Sequence, residues 1–269
     1  MPIAGTPEIL DSHAHLDMEE FDPDREEVVR RAFAAGLKCL LCPIEVSEKR
    51  SPDVVLDLVE RHPAIFAAAG VHPHRAKLFS SGCLDQIRGL AAAGKILAVG
   101  EIGLDYHYDF SPPAEQAVAL RAQLEVSQEL GLPAVIHSRN SGRDIIRAVK
   151  DAGFTKGGVL HCYTEDEGIA REVIDLGFFI SFSGILTFPN ARTLRQTAKE
   201  IPIDRLLVET DSPYLAPVPY RGQRNEPAYV IETLRVLAGL KGVEIEVLAA
   251  VLIRNFSRLF LFEKRPRQC

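Results

Sequence analysis

The 269-residue sequence has no tryptophan, two methionines and five cysteines. It has no apolar run near the roughly 18 to 20 residues that a membrane-spanning helix needs. Five cysteines in a chain of this length do not indicate a disulfide scaffold. The first ten residues, MPIAGTPEIL, lack the basic segment and long apolar segment of a secretory signal. We therefore expect a cytoplasmic protein without a membrane segment.

The sequence also lacks a large excess of either basic or acidic residues. The formal net charge is -6, with 25% charged and 46% hydrophobic residues, so the composition is that of an ordinary globular protein. This composition excludes a disordered, collagen-like or coiled-coil chain. A protein that binds nucleic acid through a broad basic surface is usually basic. Any anionic substrate must therefore be held by local features of the site.

The cysteines give no sign of a metal or redox site. Cys39 and Cys42 form a CxxC pair inside the apolar run LKCLLCPI, and no second pair exists. We interpret them as small apolar residues of a buried strand. Cys162 follows a histidine of interest, and we interpret it as structural too.

Short apolar segments alternate with amphipathic segments along the whole chain. Near-continuous apolar runs are typical of parallel strands that are covered on both faces. Eight strand-helix units in this length predict a (β/α)8 barrel, which we assign to one domain over residues 1–269. A doubly wound sheet would have fewer strands and usually a glycine-rich phosphate loop, which is absent. The predicted strands cover residues 9–10, 39–44, 65–70, 96–100, 134–136, 158–160, 178–181 and 206–208.

Start and stop signals predict the helices between these strands. Asp22-Pro23, Ser51-Pro52 and Ser111-Pro112 are typical helix starts, and Gly36 and Gly131 are typical ends. Further helical patterns cover residues 84–93, 142–152, 165–176, 191–200, 227–237 and 244–254.

Seven of the eight histidines lie at or just beyond the end of a predicted strand. In a barrel the carboxyl ends of all strands open onto one face, which carries the active site. We therefore expect these side chains to converge. His62 instead ends a helix, where a cation favours the helix dipole. The seven are His13, His15, His72, His74, His107, His137 and His161.

The first strand leads into His13-Ala14-His15. Alternation along a strand would direct both imidazoles to the barrel axis. Two imidazoles on one face suit a borderline metal, although HxH alone is a weak signal and a hydrogen-bonded pair is an equal alternative. Asp11 shares their parity and is a candidate to orient one imidazole from behind.

The fourth strand ends in VGEIGLDYH, which places Glu101 inward among apolar neighbours. An unpaired carboxylate there would be costly, so it needs either an arginine partner or metal ions. We favour a metal bridge, because a carboxylate has two oxygens and can hold two cations. Asp105 is expected in the loop beyond, as an orienting group or a simple loop acid.

Three further strands end in polar residues. The fifth supplies His137 and Arg139, and the sixth supplies His161. The eighth ends in LLVETDSPYL, where Asp211 shares parity with Glu209. Asp211 can ligate a metal or take a proton, and the alternative is a turn-forming Asp before Ser-Pro.

Together the sequence predicts a site built from imidazoles and carboxylates. Such a set suits Zn, Mn, Fe, Co or Mg with open positions better than a closed structural zinc. Two adjacent metals could activate a water and stabilise the leaving oxygen of a phosphodiester. The predicted ligands are His13, His15, Glu101, His137, His161 and Asp211.

Seven segments resemble the TatD family of metal-dependent deoxyribonucleases, in the order found there. They are DSHAHLD, GVHPH, GEIGLDYH, PAVIHSR, GVLHCY, VETDSPYL and RGQRNEPAYV, from about residue 10 to residue 255. The resemblance implies a TIM barrel of the metallo-dependent hydrolase superfamily. It also implies one or two Mg, Mn or Zn ions on the six ligands above, with Glu101 as the bridge.

The family resemblance implies DNA hydrolysis, including 3′-exonuclease trimming. We expect a divalent-metal nuclease in which metal-activated water attacks phosphorus, with Asp211 and Glu101 as catalytic residues. The expected partner is DNA, as single strands or 3′ ends, and a monomer is favoured. Candidate substrate contacts are His72, Arg139, Arg221 and Arg224, each of which could instead be a solvated or ion-paired loop residue. Arg224, in particular, could pair with Glu226 or Glu209.

Two alternatives remain at this point. One is an ester or amide hydrolase, such as a D-aminoacyl-tRNA deacylase or an amidohydrolase. Related binuclear amidohydrolases often use a carboxylated lysine on strand four, but Lys95 falls at the start of that strand and Glu101 takes the bridging place. The other is a non-catalytic metal or phosphate binder, which the intact ligand set disfavours.

Overall fold

The computed structural model describes residues 7–261 of the chain. Eight parallel strands form one sheet in which each strand pairs with the next one along the chain. Helices separate consecutive strands, which confirms the predicted single-domain (β/α)8 barrel. The strands are β1 (Ile9–Asp11), β2 (Leu37–Glu45), β3 (Ile65–Gly70), β4 (Ala98–Asp105), β5 (Ala134–Arg139), β6 (Gly158–Leu160), β7 (Phe178–Phe182) and β8 (Leu206–Val208).

The α-helices cover the outside of this barrel. Two of them follow β8, and the last packs against both β1 and β8. The helices in the described part of the chain are α1 (Arg25–Ala34), α2 (Arg50–Arg61), α3 (Ser81–Ala92), α4 (Pro113–Leu130), α5 (Gly142–Asp151), α6 (Glu167–Asp175), α7 (Arg192–Glu200), α8 (Val230–Lys241) and α9 (Ile245–Phe260).

All three predicted helix starts differ from the observed ones, and the smallest difference is at α4, which begins at Pro113 with Pro112 instead of Ser111 before it. The segment at Asp22-Pro23 forms a turn before α1, in which the Asp22 carboxylate accepts a hydrogen bond from Arg25 instead of capping the helix. Ser51 lies inside α2, where its hydroxyl accepts a hydrogen bond from the backbone N–H of Glu45 at 2.9 Å. The side-chain oxygens of Asp22 and Ser51 therefore do not accept hydrogen bonds from the first N–H groups of α1 and α2, and they do not cap these helices.

Strand β4 extends past its predicted end at residue 100. Its pairing with β5 is interrupted between Val99 and Ile102 and then resumes to Asp105. Gly103 permits this, because a Cβ there would lie 2.0 Å from the carbonyl oxygen of His137. Asp105 is therefore the last strand residue and not a loop acid, which corrects the sequence expectation.

The barrel closes between β1 and β8 through a short seam. Ser12 N–H donates to Val208 O at 3.0 Å, and His15 N–H donates to Ser212 O at 2.8 Å. A single bridge between Ala14 and Ser212 continues the contact beyond both strands. The seam thus extends the β1 and β8 segments toward the carboxyl face of the barrel.

Cys39 and Cys42 are both buried in β2, as the apolar pattern predicted. Burial raises the pKa of the Cys42 thiol well above its ordinary value, so this thiol stays protonated at neutral pH. These two residues belong to the core and not to a metal or redox site.

Among residues 7–261, no helix has the combination of length and apolar composition needed to traverse a bilayer.

Candidate metal centre

Glu101 lies within β4 and is 4% exposed. Its two carboxylate oxygens face different groups of imidazoles. Ring nitrogens of five histidines come within 3.5 Å of these oxygens: His13 (3.1 Å) and His15 (3.5 Å) at Oε2, and His72 (3.1 Å), His137 (3.1 Å) and His161 (2.7 Å) at Oε1. Four of the predicted ligands, His13, His15, His137 and His161, thus lie directly beside Glu101, and Asp211 reaches the cluster through His15.

The donor set fits a divalent cation. His13 Nε2 and His15 Nε2 are 3.2 Å apart, and the rings of His13 and His161 stack with centroids 3.9 Å apart. One carboxylate cannot satisfy this many ring nitrogens, and His13 Nδ1 is buried without a hydrogen-bond partner. Crowded lone pairs beside a buried carboxylate are what imidazole-binding and carboxylate-binding metals require.

Asp211 joins the cluster from the seam. Its Oδ1 is 3.5 Å from His15 Nε2, and its backbone N–H donates to His13 O at 2.9 Å. The residue has a left-handed φ of 56°, which is uncommon for a residue other than glycine. The backbone hydrogen bond to His13 fixes this turn, so Asp211 is held beside the imidazoles that come from the other end of the sequence.

The described residues contain three groups of side chains whose ligand atoms lie within 4.8 Å of one another. Two of them overlap on His13 and together contain all but one of the predicted ligands. The third contains His137 and two histidines that follow β3. The groups are His13, His15 and Asp211; His13, Glu101 and His161; and His72, His74 and His137.

Two carboxylates behind the cluster orient its imidazoles. Asp105 Oδ2 lies 3.0 Å from His137 Nε2 and 2.8 Å from His74 Nε2. Glu209 Oε1 accepts the backbone N–H of Cys162 at 2.5 Å and lies 3.3 Å from His161 Nδ1. Each of these carboxylates faces a ring nitrogen of a proposed ligand, and such partners fix the tautomer and direction of a ligand ring.

Asp11 does not orient an imidazole through its side chain, as the sequence analysis suggested. Its carboxylate accepts hydrogen bonds from Thr210 Oγ1 at 2.5 Å, from Thr210 N–H at 2.9 Å and from His13 N–H at 3.2 Å, so it bonds to no imidazole. Burial raises the pKa of Asp11 to about 8. Asp11 therefore holds the seam together and positions His13 through its backbone.

The carboxylates and imidazoles of the cluster shift each other's pKa values. Burial opposes ionisation of Glu101, but the charges of His161, His72 and His13 hold its pKa well below the ordinary value. Burial also opposes protonation of His15, but its hydrogen bond to Asp211 and the charge of Glu101 raise its pKa to about 9. The same sites that hold protons would hold metal, so acid competes with metal for these ligands.

The sequence analysis expected His74 to lie with the other histidines at the face of the site but gave it no role as a ligand. His74 lies two residues after His72, which repeats the spacing of His13 and His15. This second HxH pair is the sequence pattern that could have identified His74 as a candidate ligand. His72 was predicted to contact substrate, but the structure places its Nε2 on Glu101, inside the ligand cluster. His107 does not join the cluster: its ring is exposed and packs edge-on against Tyr108.

The three predicted arginine contacts differ in their surroundings. Arg139 ends β5 with an exposed side chain, and its guanidinium lies 5.4 Å from the Tyr108 ring centroid. Arg221 donates to Ala216 O at 3.1 Å and lies 4.0 Å from the Phe188 ring centroid. Of the two, Arg139 is the more available to a substrate.

Arg224 is engaged within the protein. Its NH1 and NH2 groups bond to the two carboxylate oxygens of Asp24 at 2.7 and 2.8 Å. This favours the structural alternative, with a different partner from the expected Glu226 or Glu209, because Glu226 bonds to Arg31 NH2 at 2.6 Å. We call Asp24, Arg31, Arg224 and Glu226 the ion-pair cluster.

A (β/α)8 barrel with imidazoles and carboxylates gathered at the carboxyl ends of its strands defines the class of metal-dependent hydrolases. The family model for TatD related DNases matches residues 10–261, so the chain belongs to this family.

Similarity to individual proteins agrees with the family. The chain is 39% identical to an uncharacterized metal-dependent hydrolase, YabD, of Bacillus subtilis, over 94% of this chain and 98% of that protein. It is 35% identical to the 3'-5' ssDNA/RNA exonuclease TatD of Cronobacter sakazakii, over 96% of this chain and 100% of that protein. The crystal structure of YjjV, a TatD homologue from Escherichia coli, superposes with a TM-score of 0.87 at 30% identity, covering 94% of this chain and 98% of that one.

Proposed function

We propose that this metal-dependent hydrolase is a deoxyribonuclease that cleaves phosphodiester bonds at the 3′ ends of single-stranded DNA. The observation that carries the proposal is the convergence of five imidazoles on the two oxygens of Glu101, with Asp211 beside them. A related exonuclease with 35% identity over its whole length supports the choice of substrate. We also propose that the protein is cytoplasmic and acts as a monomer.

The proposed ligands of one or two divalent ions are His13, His15, Glu101, His137, His161 and Asp211. Bound Mg, Mn or Zn would supply positive charge for the phosphodiester and for the attacking water. Glu101 would contribute one oxygen to each side of the cluster, because its two oxygens already face different imidazoles.

Asp211 is proposed to accept the proton of the attacking water. Burial opposes its ionisation, but the hydrogen bond with His15 and the charges of the neighbouring histidines lower its pKa, so it is ionised at neutral pH. Arg139 and Arg221 remain proposed substrate contacts, because both are exposed, whereas His72 is half-buried and faces Glu101.

A hydrolysis screen of the metal-loaded protein tests the proposal. The substrates are 3′-labelled and 5′-labelled single-stranded DNA, duplex DNA, RNA, D-aminoacyl-tRNA and simple cyclic amides, each with Mg, Mn and Zn. We expect early release of the 3′ label and stepwise shortening of the 5′-labelled single strand, and neither with Glu101→Gln. Hydrolysis of an ester or amide without hydrolysis of DNA would overturn the proposal.

One observation favours ester hydrolysis of an aminoacyl-tRNA as a second candidate. A cavity of about 60 Å³ beside Glu101 is lined by Asp17, Glu45, His15 and His72, among others. Asp17 Oδ1 is buried without a hydrogen-bond partner. An acidic cavity of this size suits an ammonium group, such as the amine of an aminoacyl ester.

A further inference from the structure

The exposed aromatic side chains of the described chain lie in two loops beside the metal centre. Tyr106, Tyr108 and Phe110 follow β4 and are 39%, 42% and 54% exposed, and Tyr214 follows β8 and is 48% exposed. No other large aromatic side chain in residues 7–261 is exposed to this degree. Apolar surface gathered at one place is a sign of a binding site, whereas single exposed residues are not.

The loop after β4 presents two of these rings as a stack. The Tyr108 and Phe110 centroids are 5.5 Å apart, with an angle of 25° between their planes. Both rings meet His74 edge-on, at 5.5 and 4.8 Å between centroids. His74 shares the Asp105 carboxylate with His137, so the stack begins next to the metal centre.

Hydrogen bonds hold this loop in place. The Asp105 carboxylate accepts the backbone N–H groups of His107 at 2.8 Å and Tyr108 at 3.0 Å. Ser111 Oγ donates to His74 O at 2.9 Å and ties the far end of the loop to the residues after β3. The rings are thus exposed on a fixed backbone, which lowers the entropy lost when a ligand binds.

A positive charge accompanies the rings. The Arg139 guanidinium is 5.4 Å from the Tyr108 centroid, and among the described residues Arg139 forms no ion pair with a carboxylate. Arginine can bind a phosphate with two parallel hydrogen bonds, while every nucleobase has a face that stacks on an aromatic ring. Rings and charge together match one nucleotide unit.

We propose that Tyr108 and Phe110, with Arg139, form a stacking platform for an unpaired base of single-stranded DNA next to the cleaved end. This inference rests on the proposed nuclease function and adds the reason for a single-strand preference. A base in a duplex has both faces covered by its neighbours and cannot stack on the platform. Stacking is also tolerant of sequence, because all bases offer a π-face.

The test is a comparison of two strands of equal charge. Binding of labelled dT8 and of an eight-unit abasic strand is measured by fluorescence anisotropy in excess chelator, where hydrolysis cannot interfere. The proteins are wild type, the Tyr108→Ala/Phe110→Ala double variant, Tyr108→Phe, and Val247→Ala as a control for loss of an exposed apolar side chain elsewhere. Thermal midpoints check that all variants fold.

Wild type should bind dT8 more tightly than the abasic strand. The double variant should lose about 5- to 150-fold in affinity for dT8, as expected for stacking of one base, and nothing for the abasic strand. Tyr108→Phe keeps the ring and should retain wild-type affinity, as should Val247→Ala. Equal losses on both strands, or no loss on dT8, would overturn the platform.

A parallel hydrolysis assay with Mg or Mn separates this inference from the nuclease proposal. If the double variant loses the wild-type preference for dT8 but wild type cleaves no strand, the platform stands and the nuclease function falls. If wild type cleaves dT8 and the double variant binds it equally well, the nuclease function stands and the platform is overturned. If wild type neither prefers nor cleaves dT8, both are overturned.

Discussion

The metal centre and the ion-pair cluster both contain buried or half-buried charged residues, but they balance charge differently. In the ion-pair cluster, Asp24 and Glu226 each face arginine, so every carboxylate has a permanent cation. In the metal centre, Glu101 faces only imidazoles, whose charge depends on protonation. Carboxylates that are paired with arginine stabilise the fold. A carboxylate such as Glu101, which faces only imidazoles, can instead bind a metal ion from solution.

The largest effect should come from Glu101→Gln. Replacing the carboxylate with an amide removes the charge shared by both sides of the cluster, so metal content and turnover should both fall to background. Elemental analysis after dialysis and hydrolysis of labelled DNA measure this. Added metal should stabilise wild type, by about 2.7 kcal/mol when free metal is 100-fold above Kd, and should not stabilise the variant.

Glu226→Gln is the matched control in the ion-pair cluster. It should lower the thermal midpoint and leave metal content unchanged, since Glu226 contacts Arg31 and no imidazole. Full metal occupancy in Glu101→Gln would contradict the proposal that Glu101 is a metal ligand. The metal centre would then not differ from the ion-pair cluster in the way described above.

Asp211→Asn should have the next largest effect. If Asp211 only binds metal, excess metal should restore most of the rate. If it also accepts a proton, the metal-saturated variant should stay about 10²- to 10⁴-fold slower, which is the usual contribution of general acid-base catalysis. Near-normal turnover of the metal-saturated variant would assign Asp211 to metal binding alone.

Asp105→Asn tests the residues that orient the imidazoles. Asp105 bonds to His137 and His74, and an orienting partner behind a ligand usually contributes about 10- to 100-fold to metal affinity or activity. We expect a loss in this range, measured by metal titration and turnover. Asp144→Asn removes a nearby carboxylate that accepts a hydrogen bond from Tyr106 and contacts no imidazole of the metal centre. A larger loss of metal affinity and turnover in Asp105→Asn than in Asp144→Asn would assign the orienting role to Asp105.

The smallest effect should come from Arg224→Ala. Loss of a half-exposed ion pair costs about 1 kcal/mol or less, which corresponds to about 2–4 °C in thermal midpoint for a chain of this size. Metal content and the salt dependence of DNA binding should not change. A salt slope shallower by about 0.7 with an unchanged midpoint would instead make Arg224 a phosphate contact.

The pH dependence of this ion pair has a defined sign. The hydrogen bond from Arg224 lowers the pKa of Asp24 to about 2, from an ordinary value of 3.8. A carboxylate with a lowered pKa contributes stability above its ordinary pKa and loses it as pH falls through the folded value. The difference in midpoint between wild type and Asp24→Asn should therefore be constant above pH 4 and shrink toward pH 2.

The strands could be predicted because parallel strands covered on both faces appear as short apolar runs. The exceptions are the polar ends of two strands: β5 runs to Arg139 instead of residue 136, and at the end of β4 Glu101, Gly103 and Asp105 resemble a loop. This polar segment is a strand only because imidazoles from other strands surround its carboxylates, and a local pattern does not contain those partners. The site residues were accessible to prediction because they follow apolar runs directly.

The role of Arg224 was harder to predict from sequence. Its partner Asp24 lies 200 positions earlier in the chain, and the sequence gives nearer acids at positions 209 and 226. Pairing across such a distance is set by the closure of the barrel, which brings α1 beside the loop after β8. His72 shows the same limit, since its contact with Glu101 depends on how far the segment after β3 turns inward.

The seam between β1 and β8 has a consequence for synthesis of the protein. Asp11 and Thr210, which it joins, are 199 positions apart, and His13 and Asp211 lie directly beyond them. At about 5–20 residues per second, a ribosome needs roughly 10 to 40 s to make the intervening chain. During that time the edges of the sheet are open, and a growing chain can hold Glu101 and all five histidines that face it without Asp211. A metal ion captured before release would therefore have a different coordination from one bound after the last strand closes the barrel.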